Sequence, residues 1–180
     1  PSARSYQQTE AREKSEKRHL KNLLTLGINR NNITLVDPRD DRLIEVNDQS
    51  ENDLRKAINY AVKHSITDIS IIGASGKRED HMIGNIFSLL NYKDVNIKLF
   101  TDTGVFTCIH ADQKIESHKG QQVSIFSLDS TIKITSNNLK FNFNKQPIST
   151  LFSATLNESL FSFFELKISH GSLIIYQTYI

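Results

Sequence analysis

"IIGASGKREDHMIGN", residues 71–85, decides how this fold is read. The stretch leaves an apolar segment, passes through small residues and enters a dense run of charge. Ligands of an open α/β sheet sit beyond the carboxyl ends of its strands. A strand at Ile69 to Ile72 would deliver Gly73, Ala74, Ser75 and Gly76 to that edge. Small residues there let backbone N–H groups approach a phosphate, and a following helix adds its positive N-terminal end. Lys77 and Arg78 suit phosphate charge, the one as a mobile point charge and the other as a planar fork. Asp80 can hold a metal or orient a neighbour, and His81 can donate a hydrogen bond. The competing reading is a plain turn, with Asp80 capping the helix and the other charges solvated. The spacing is not that of a Walker loop, because the Lys-Ser/Thr pair is absent.

The flanking segments supply the layer. "RLIEVNDQSENDLRKAINYAVKHS" reads as a short strand, a loop and a helix over about Asn52 to His64, with Leu54, Ile58, Ala61 and Val62 on one face. "DISIIGAS" reads as a strand, Asp80 to Tyr92 as a helix and "NIKLFTD" as another strand. Strand, helix, strand, helix, strand with short connections predicts an α/β layer with a mainly parallel sheet. Upstream, a polar helix over Thr9 to Leu26 would end at Gly27, and Ile33 to Val36 is a short candidate strand.

After Asp102 the texture changes. "GVFTCIHA", "QQVSIFSL", "TIKITS", "LKFNFN", "FFELKIS" and "SLIIYQTY" are β-rich runs divided by Gly, Asn, Asp and Ser. They predict a C-terminal antiparallel β-sandwich. The expected division is residues 1–102 for the α/β layer and 103–180 for the sandwich, with the boundary near Thr101 to Gly104.

Composition narrows the function classes. A formal net charge of +2 over 180 residues gives no basis for expecting nucleic acid or a membrane surface as partner. The single cysteine, Cys108, allows no intrachain disulfide and fits a reducing compartment, so a cytoplasmic location is expected. No run approaches the roughly 18 apolar residues of a membrane-spanning helix.

A second polar loop, "NDQSEND", places Asp48 and Asp53 just before a helix, at the carboxyl end of a strand. Carboxylates so placed can hold Mg²⁺, which keeps much of its water and takes few protein oxygens. Asn52 or Asp53 can equally be an N-cap. One basic and one acidic loop on the same edge together suggest a magnesium–nucleotide site.

"DQSENDLRKA" followed by "IIGASGKREDHMIGNIFSLL" resembles the thiamine pyrophosphokinase family. That family carries Asp-Gln, a Thr-or-Asn-Asp-Leu helix start, then Gly-Ala-x-Gly-x-Arg-x-Asp-His and a downstream Asn. The matching positions are Asp48, Gln49, Asn52, Asp53, Gly73, Ala74, Gly76, Arg78, Asp80, His81 and Asn85. "TDTGVFTCIHADQKIESHKGQQVSIFSL", "ATLNES" and "GSLIIYQTY" resemble its Bacteroidetes-type branch. The likeness runs from about Leu43 to Ile180.

The resemblance implies transfer of pyrophosphate from ATP to the thiamine hydroxyl, giving thiamine diphosphate and AMP. It also implies Mg²⁺ and a homodimer with active sites at the subunit interface. Asp53, with Asp48, would hold the metal, and Asp53, Arg78 and Asp80 would be catalytic. Gly73, Ala74, Ser75, Gly76, Lys77, Arg78, His81 and Asn85 would bind ATP. Gln49, Asp53, Thr155 and Asn157 would meet thiamine, Asn157 from the partner subunit. The apolar "LIIYQTY" end can serve the dimer contact or a core strand. A non-catalytic thiamine- or nucleotide-binding relative is the alternative function.

The chain departs from the family in two places. Its Asp-Gly-Ala or Asp-Gly-Gly and Gly-Asp-x-Asp-Ser loops are absent, and "VDPRDD", with Asp37, Asp40 and Asp41, has the wrong spacing. The sequence also has no Trp, so Phe152 is the aromatic candidate for a thiamine contact, or else a core residue.

Overall fold

The C-terminal segment of the chain lies in the middle of its largest sheet. The computed structural model describes residues 51–75 and 78–179. The expected helix at Thr9 to Leu26, the strand at Ile33 to Val36, Asp37, Asp40, Asp41, Asp48, Gln49, Gly76 and Lys77 lie outside the described residues. The chain divides into two units, 1–56 and 57–180, and every strand below belongs to the second.

In chain order the elements are α1 (Asp53–Lys63), β1 (Asp68–Ile71), α2 (Glu79–Ser88) with a 3-10 turn at Leu89–Asn91, β2 (Asn96–Phe100), β3 (Gly104–Ile109), β4 (Gln113–Glu116), β5 (Gln122–Phe126), β6 (Ile134–Asn137), β7 (Asn144–Gln146), β8 (Asn157–Glu158), β9 (Phe163–Ile168) and β10 (Leu173–Thr178). One sheet runs β1-β2-β3-β10-β5-β8 and the other β4-β9-β6-β7. The fold is therefore mixed α/β, with a sandwich-like C-terminal part.

Helix α1 starts where the sequence offers a cap. Asn52 Oδ1 accepts the Arg55 N–H at 2.9 Å, so Asn52 is the N-cap and Asp53 the first helical residue. The helix stops at Ser65, whose φ of 61° is left-handed. There the Ile66 N–H reaches back to the Ala61 carbonyl at 3.0 Å, the bond of a Schellman end.

Strand β1 pairs parallel with β2, from Asp68 opposite Asn96 to Ile71 opposite Leu99. The crossover between them carries α2, as a parallel pair requires. Strand β2 then turns at Thr101–Gly104 and pairs antiparallel with β3, Phe100 opposite Val105. The expected boundary is thus a tight hairpin inside one continuous sheet. Buried Thr101 donates from Oγ1 to the Gly104 carbonyl at 3.0 Å and accepts the Gly104 N–H at 3.2 Å. Tyr179 Oη donates to the Thr101 carbonyl at 3.0 Å, tying the turn to the C-terminus.

The sandwich core follows the period of two that strands impose. Phe164 and Leu166 of β9 are fully buried, while Glu165 and Lys167 point outward. Leu173 and Ile175 of β10, with Val123 and Ile125 of β5, close on them across the other sheet. At one end of this face Gln177 and Gln121 are buried but paired. Gln177 Nε2 donates to the Glu116 carbonyl and to Gln121 Oε1, both at 2.9 Å. Gln121 Nε2 donates to the Thr178 carbonyl at 2.6 Å.

Two sequence expectations are corrected here. "LKFNFN" is not a strand. Asn138 turns left-handed at φ 67°, and Asn142 Oδ1 accepts from Ser136 Oγ at 3.0 Å and from the Leu139 N–H at 3.3 Å. An Asn side chain thus takes the place of the ladder around Leu139, and backbone pairing resumes at Phe143, whose carbonyl accepts the Ser136 N–H at 3.1 Å, just before β7. The "LIIYQTY" end is core strand rather than exposed interface, since Leu173, Ile174 and Ile175 are fully buried. Strands β4 and β8 were not expected: "QKIE" has one buried residue, Ile115, and β8 is two residues long.

Gly104 gives a direct check on the hairpin. A Cβ there would lie 2.3 Å from the Gln177 carbonyl oxygen and 2.7 Å from the Tyr176 ring. Backbone on one side leaves no room to yield, so Gly104→Ala is expected to lose about 1–3 kcal/mol, or more, in urea unfolding. An unchanged midpoint would show that the hairpin is not clamped by β10.

Candidate active site

The loop after β1 is shaped by two residues. Gly73 has φ 75°, a left-handed conformation that a side chain would strain. Asn85, from inside α2, donates from Nδ2 to the Ala74 carbonyl at 3.4 Å and so ties the loop back to the helix. Helix α2 begins after Arg78, which is extended at φ −120°, ψ 123°.

Arg78 and Asp80 form a planar pair. Arg78 Nε donates to Asp80 Oδ1 at 3.1 Å and Nη2 to Oδ2 at 2.6 Å. The His81 N–H adds a third bond to Oδ1 at 2.9 Å. Both side chains are well exposed, so the pair adds little stability. Its value is geometric: one edge of the guanidinium is spoken for, and among the described residues Nη1 has no partner. The Asp80 carboxyl is held below the usual carboxylate range, chiefly by the Arg78 hydrogen bonds and then by the His81 N–H. Asp80 thus fixes the orientation of Arg78 while its carboxylate stays exposed.

Asp53 stands differently. Its side chain is fully exposed, and among the described residues Lys56 Nζ lies near it at 3.7 Å. Asn52 performs the capping, so the Asp53 carboxylate contributes to the helix start only as a negative charge in its first turn. Among the described residues no group of three or more His, Cys, Asp or Glu could hold a metal. A Mg²⁺ ion held through one or two carboxylates, substrate phosphates and water needs no such group.

In the sandwich, Asn157 is 3% exposed and clasped to a neighbouring loop. Its Oδ1 accepts from the Phe141 N–H at 3.0 Å, and its Nδ2 donates to the Phe141 carbonyl at 2.8 Å. Thr155 donates from Oγ1 to the Phe152 carbonyl at 2.8 Å. Phe152 is 76% exposed, which removes the core alternative for it, and Leu156, at φ 58°, is 78% exposed. Phe141 is exposed too. Sequence reasoning passed over it because the alternation in "LKFNFN" looks like a strand. The Asn residues on either side of it were the available turn signal.

Burial pushes the Cys108 thiol up to about 12, so the protonated form is favoured.

Two measurements follow. Arg78→Gln removes the main cause of the lowered Asp80 pKa, so the carboxyl should titrate at higher pH by carbon-detected NMR. A depressed folded pKa stabilises above the unfolded value and loses that effect as pH falls through the folded one. The window of this small term should therefore narrow at its acid end in the variant, and an unmoved Asp80 titration would contradict the pairing. Asn157→Ala leaves both Phe141 backbone groups unpaired and should cost about 1–3 kcal/mol of stability. A melting temperature equal to the parent's would show that the clasp is not structural.

The geometry can be compared with known proteins. A family model described as thiamin pyrophosphokinase, catalytic domain, matches residues 27–101, and one described as thiamin pyrophosphokinase, substrate-binding domain, matches residues 104–176. No curated protein sequence matches. Thiamine pyrophosphokinase from Bacillus subtilis is similar at TM-score 0.62 and 19% identity, over 73% of this chain and 64% of that one. The Geobacillus thermodenitrificans enzyme gives 0.64 and 23%, over 74% and 64%. That from Candida albicans gives 0.54 and 15%, over 62% and 43%. At these identities the structures speak for the fold alone, and this chain spans 64% of the length of the first two. With the catalytic and substrate-binding models matched one after the other along most of its length, the chain belongs to the thiamin pyrophosphokinase family.

Proposed function

We propose that this protein transfers a pyrophosphoryl group from ATP to the hydroxyl of thiamine, giving thiamine diphosphate and AMP. The carrying observation is that both family models, the catalytic and the substrate-binding, match in tandem on one chain. On this reading residues 1–102, built on a mainly parallel sheet, form the ATP-binding catalytic domain, and 103–180 the thiamine-binding sandwich.

The thiamine oxygen bonds to the β-phosphorus, the bond from that phosphorus to the α–β bridging oxygen breaks, and AMP leaves with the bridging oxygen. The hydroxyl proton passes to a base, a role for which Asp53 is the candidate. Such transfers depend mostly on positioning and on neutralising spread charge. Arg78, steadied by Asp80 along one edge, would present its remaining donors to the phosphates. Backbone groups of Gly73, Ala74, Ser75 and Gly76, with Lys77, His81 and the loop-fastening Asn85, would complete the ATP contacts. Asp53 and Asp48 would hold Mg²⁺, which would lower the charge on the phosphates; the open Asp53 carboxylate fits that use.

Gln49 and Thr155 are proposed as thiamine contacts. Asn157 is satisfied by Phe141, so its contribution would be to position the Phe141 loop. Exposed Phe152 would stand in for the missing Trp as an aromatic face. Leu151, Phe152, Leu156 and Phe161 are all exposed apolar residues, in keeping with a homodimer whose sites lie at the subunit interface. Among the described residues no helix is long and apolar enough to cross a membrane. A cytoplasmic enzyme is the reading that suits the lone thiol.

Purified protein with ATP, Mg²⁺ and thiamine should release AMP and thiamine diphosphate in equal amounts. Thiamine binding without AMP release would favour the non-catalytic relative instead. Asp53→Asn should leave the melting temperature nearly unchanged, because Asn52 is the cap, and cut turnover by ~10²-fold or more. Near-parental AMP production at saturating Mg²⁺ would remove Asp53 from the chemistry.

A further inference from the structure

The outer face of the four-stranded sheet carries a cationic cavity that the proposed reaction does not use. It is an open depression of about 270 Å³, lined by Lys133, Lys145, Lys167, Thr135, Ser169 and Asp112, among others. None of these residues belongs to the candidate catalytic set. Their convergence follows from the strand register. Thr135 of β6 stands opposite Lys167 of β9, both pointing away from the core that Phe164 and Leu166 fill. One step further, Lys133 and Ser169 exchange bonds: the Ser169 N–H donates to the Lys133 carbonyl and the Lys133 N–H to Ser169 Oγ, both at 3.0 Å.

Lys145 arrives by a different device. The β6–β7 ladder shifts register between Ile134 and Thr135, and Lys145 takes a left-handed φ of 52°. A bulge with strained backbone re-aims a side chain, here to the wall of a depression that two other lysines also line. Among the described residues none of the three ammonium groups has an ion-pair partner. Asp112 is the one carboxylate in the lining, and its Oδ1 is engaged by the Ile168 N–H at 2.9 Å. Three cations against one anion leave +2 in the cavity, as much as the formal net charge of the whole chain. Like charges gathered in a concavity repel one another and favour a multivalent counter-ion.

We propose that this cavity is an anion site for a diphosphate or triphosphate group. Lys presents point charges to phosphate oxygens, and a bridged diphosphate spans several ammonium groups where a single carboxylate would meet one. The Thr135 hydroxyl, which makes no bond among the described residues, adds a neutral donor at the cavity wall.

The test is a backbone-amide NMR titration with inorganic pyrophosphate, without Mg²⁺ and at fixed ionic strength. Saturable shifts are expected at Thr135, Lys145 and Lys167, and they should persist in Arg78→Gln. Lys145→Gln and Lys167→Gln are exposed changes that should keep the fold, checked by melting temperature. Each should weaken the fitted affinity about tenfold, the value of one charged hydrogen bond. A parallel titration with ATP separates the sources: equal affinity assigns the free anion, and tighter binding at the same amides assigns a nucleotide. Shifts that never saturate, shifts confined to residues 73–81, or affinity indifferent to both lysine changes would overturn the proposal. AMP production is read separately, so failure here is distinct from failure of the transferase reading.

Discussion

Strand β10 is the constraint on which the second unit depends. It pairs antiparallel with β3 on one side and β5 on the other, in register from Leu173 opposite Ile109 to Thr178 opposite Gly104. Both of its faces are buried, with Leu173 and Ile175 in the sandwich core and Ile174 covered on the opposite side. A one-residue slip would bring Ile174, Tyr176 and Thr178 into the places of Leu173, Ile175 and Gln177. It would also break the bonds by which Gln177 and Gln121 satisfy each other. Strand β10 thus joins the parallel pair and its hairpin strand β3 on one side of the sheet to β5 and β8 on the other. Such non-local pairing is the slow step to expect of folding, since long loops must close first.

The site uses a different kind of order. Arg78, Asp80 and His81 are neighbours in sequence and assemble through local bonds at a helix start, exposed to solvent. Gly73 and Asn85 shape the loop from either side, one by backbone conformation and the other by a hydrogen bond across eleven residues. Little stability rides on these contacts, so the residues are available for charge and geometry. Asn157 is the reverse case: a polar side chain that resembles a ligand contact in sequence is committed to holding Phe141. Its influence on a bound molecule would pass through that loop.

The two sheets of the sandwich divide labour by face. The inner faces are mostly aliphatic and aromatic, with buried Ser136, Gln121 and Gln177 as bonded polar exceptions. The outer face of the four-stranded sheet is polar, and on it Lys114 lies 3.8 Å over the Phe163 ring. Around β8 the exposed residues are instead apolar, Leu151, Phe152 and Leu156 among them. Charge on one side and apolar surface on another mark two regions suited to different partners.

How much of this was legible in the chain depends on how local the cause was. Helix α1 was readable from Asn52, its polar neighbours and the apolar spacing through Ile58, because caps and period act within a few residues. The run of small residues before a charged helix start was readable for the same reason, and so was the turn at Thr101 to Gly104. Three things were decided only by tertiary structure. That turn is a hairpin inside one sheet, because β10 arrives from seventy residues away to pair with β3. "LKFNFN" is a loop, because Asn142 and Asn157 offered its backbone better partners than a neighbouring strand. Lys133, Lys145 and Lys167, scattered along the sequence, share a cavity because strand register and one bulge put them on the same face. Propensity and periodicity report on neighbours along the chain, whereas sheet order and cross-strand pairing are set by which distant surfaces bury each other best.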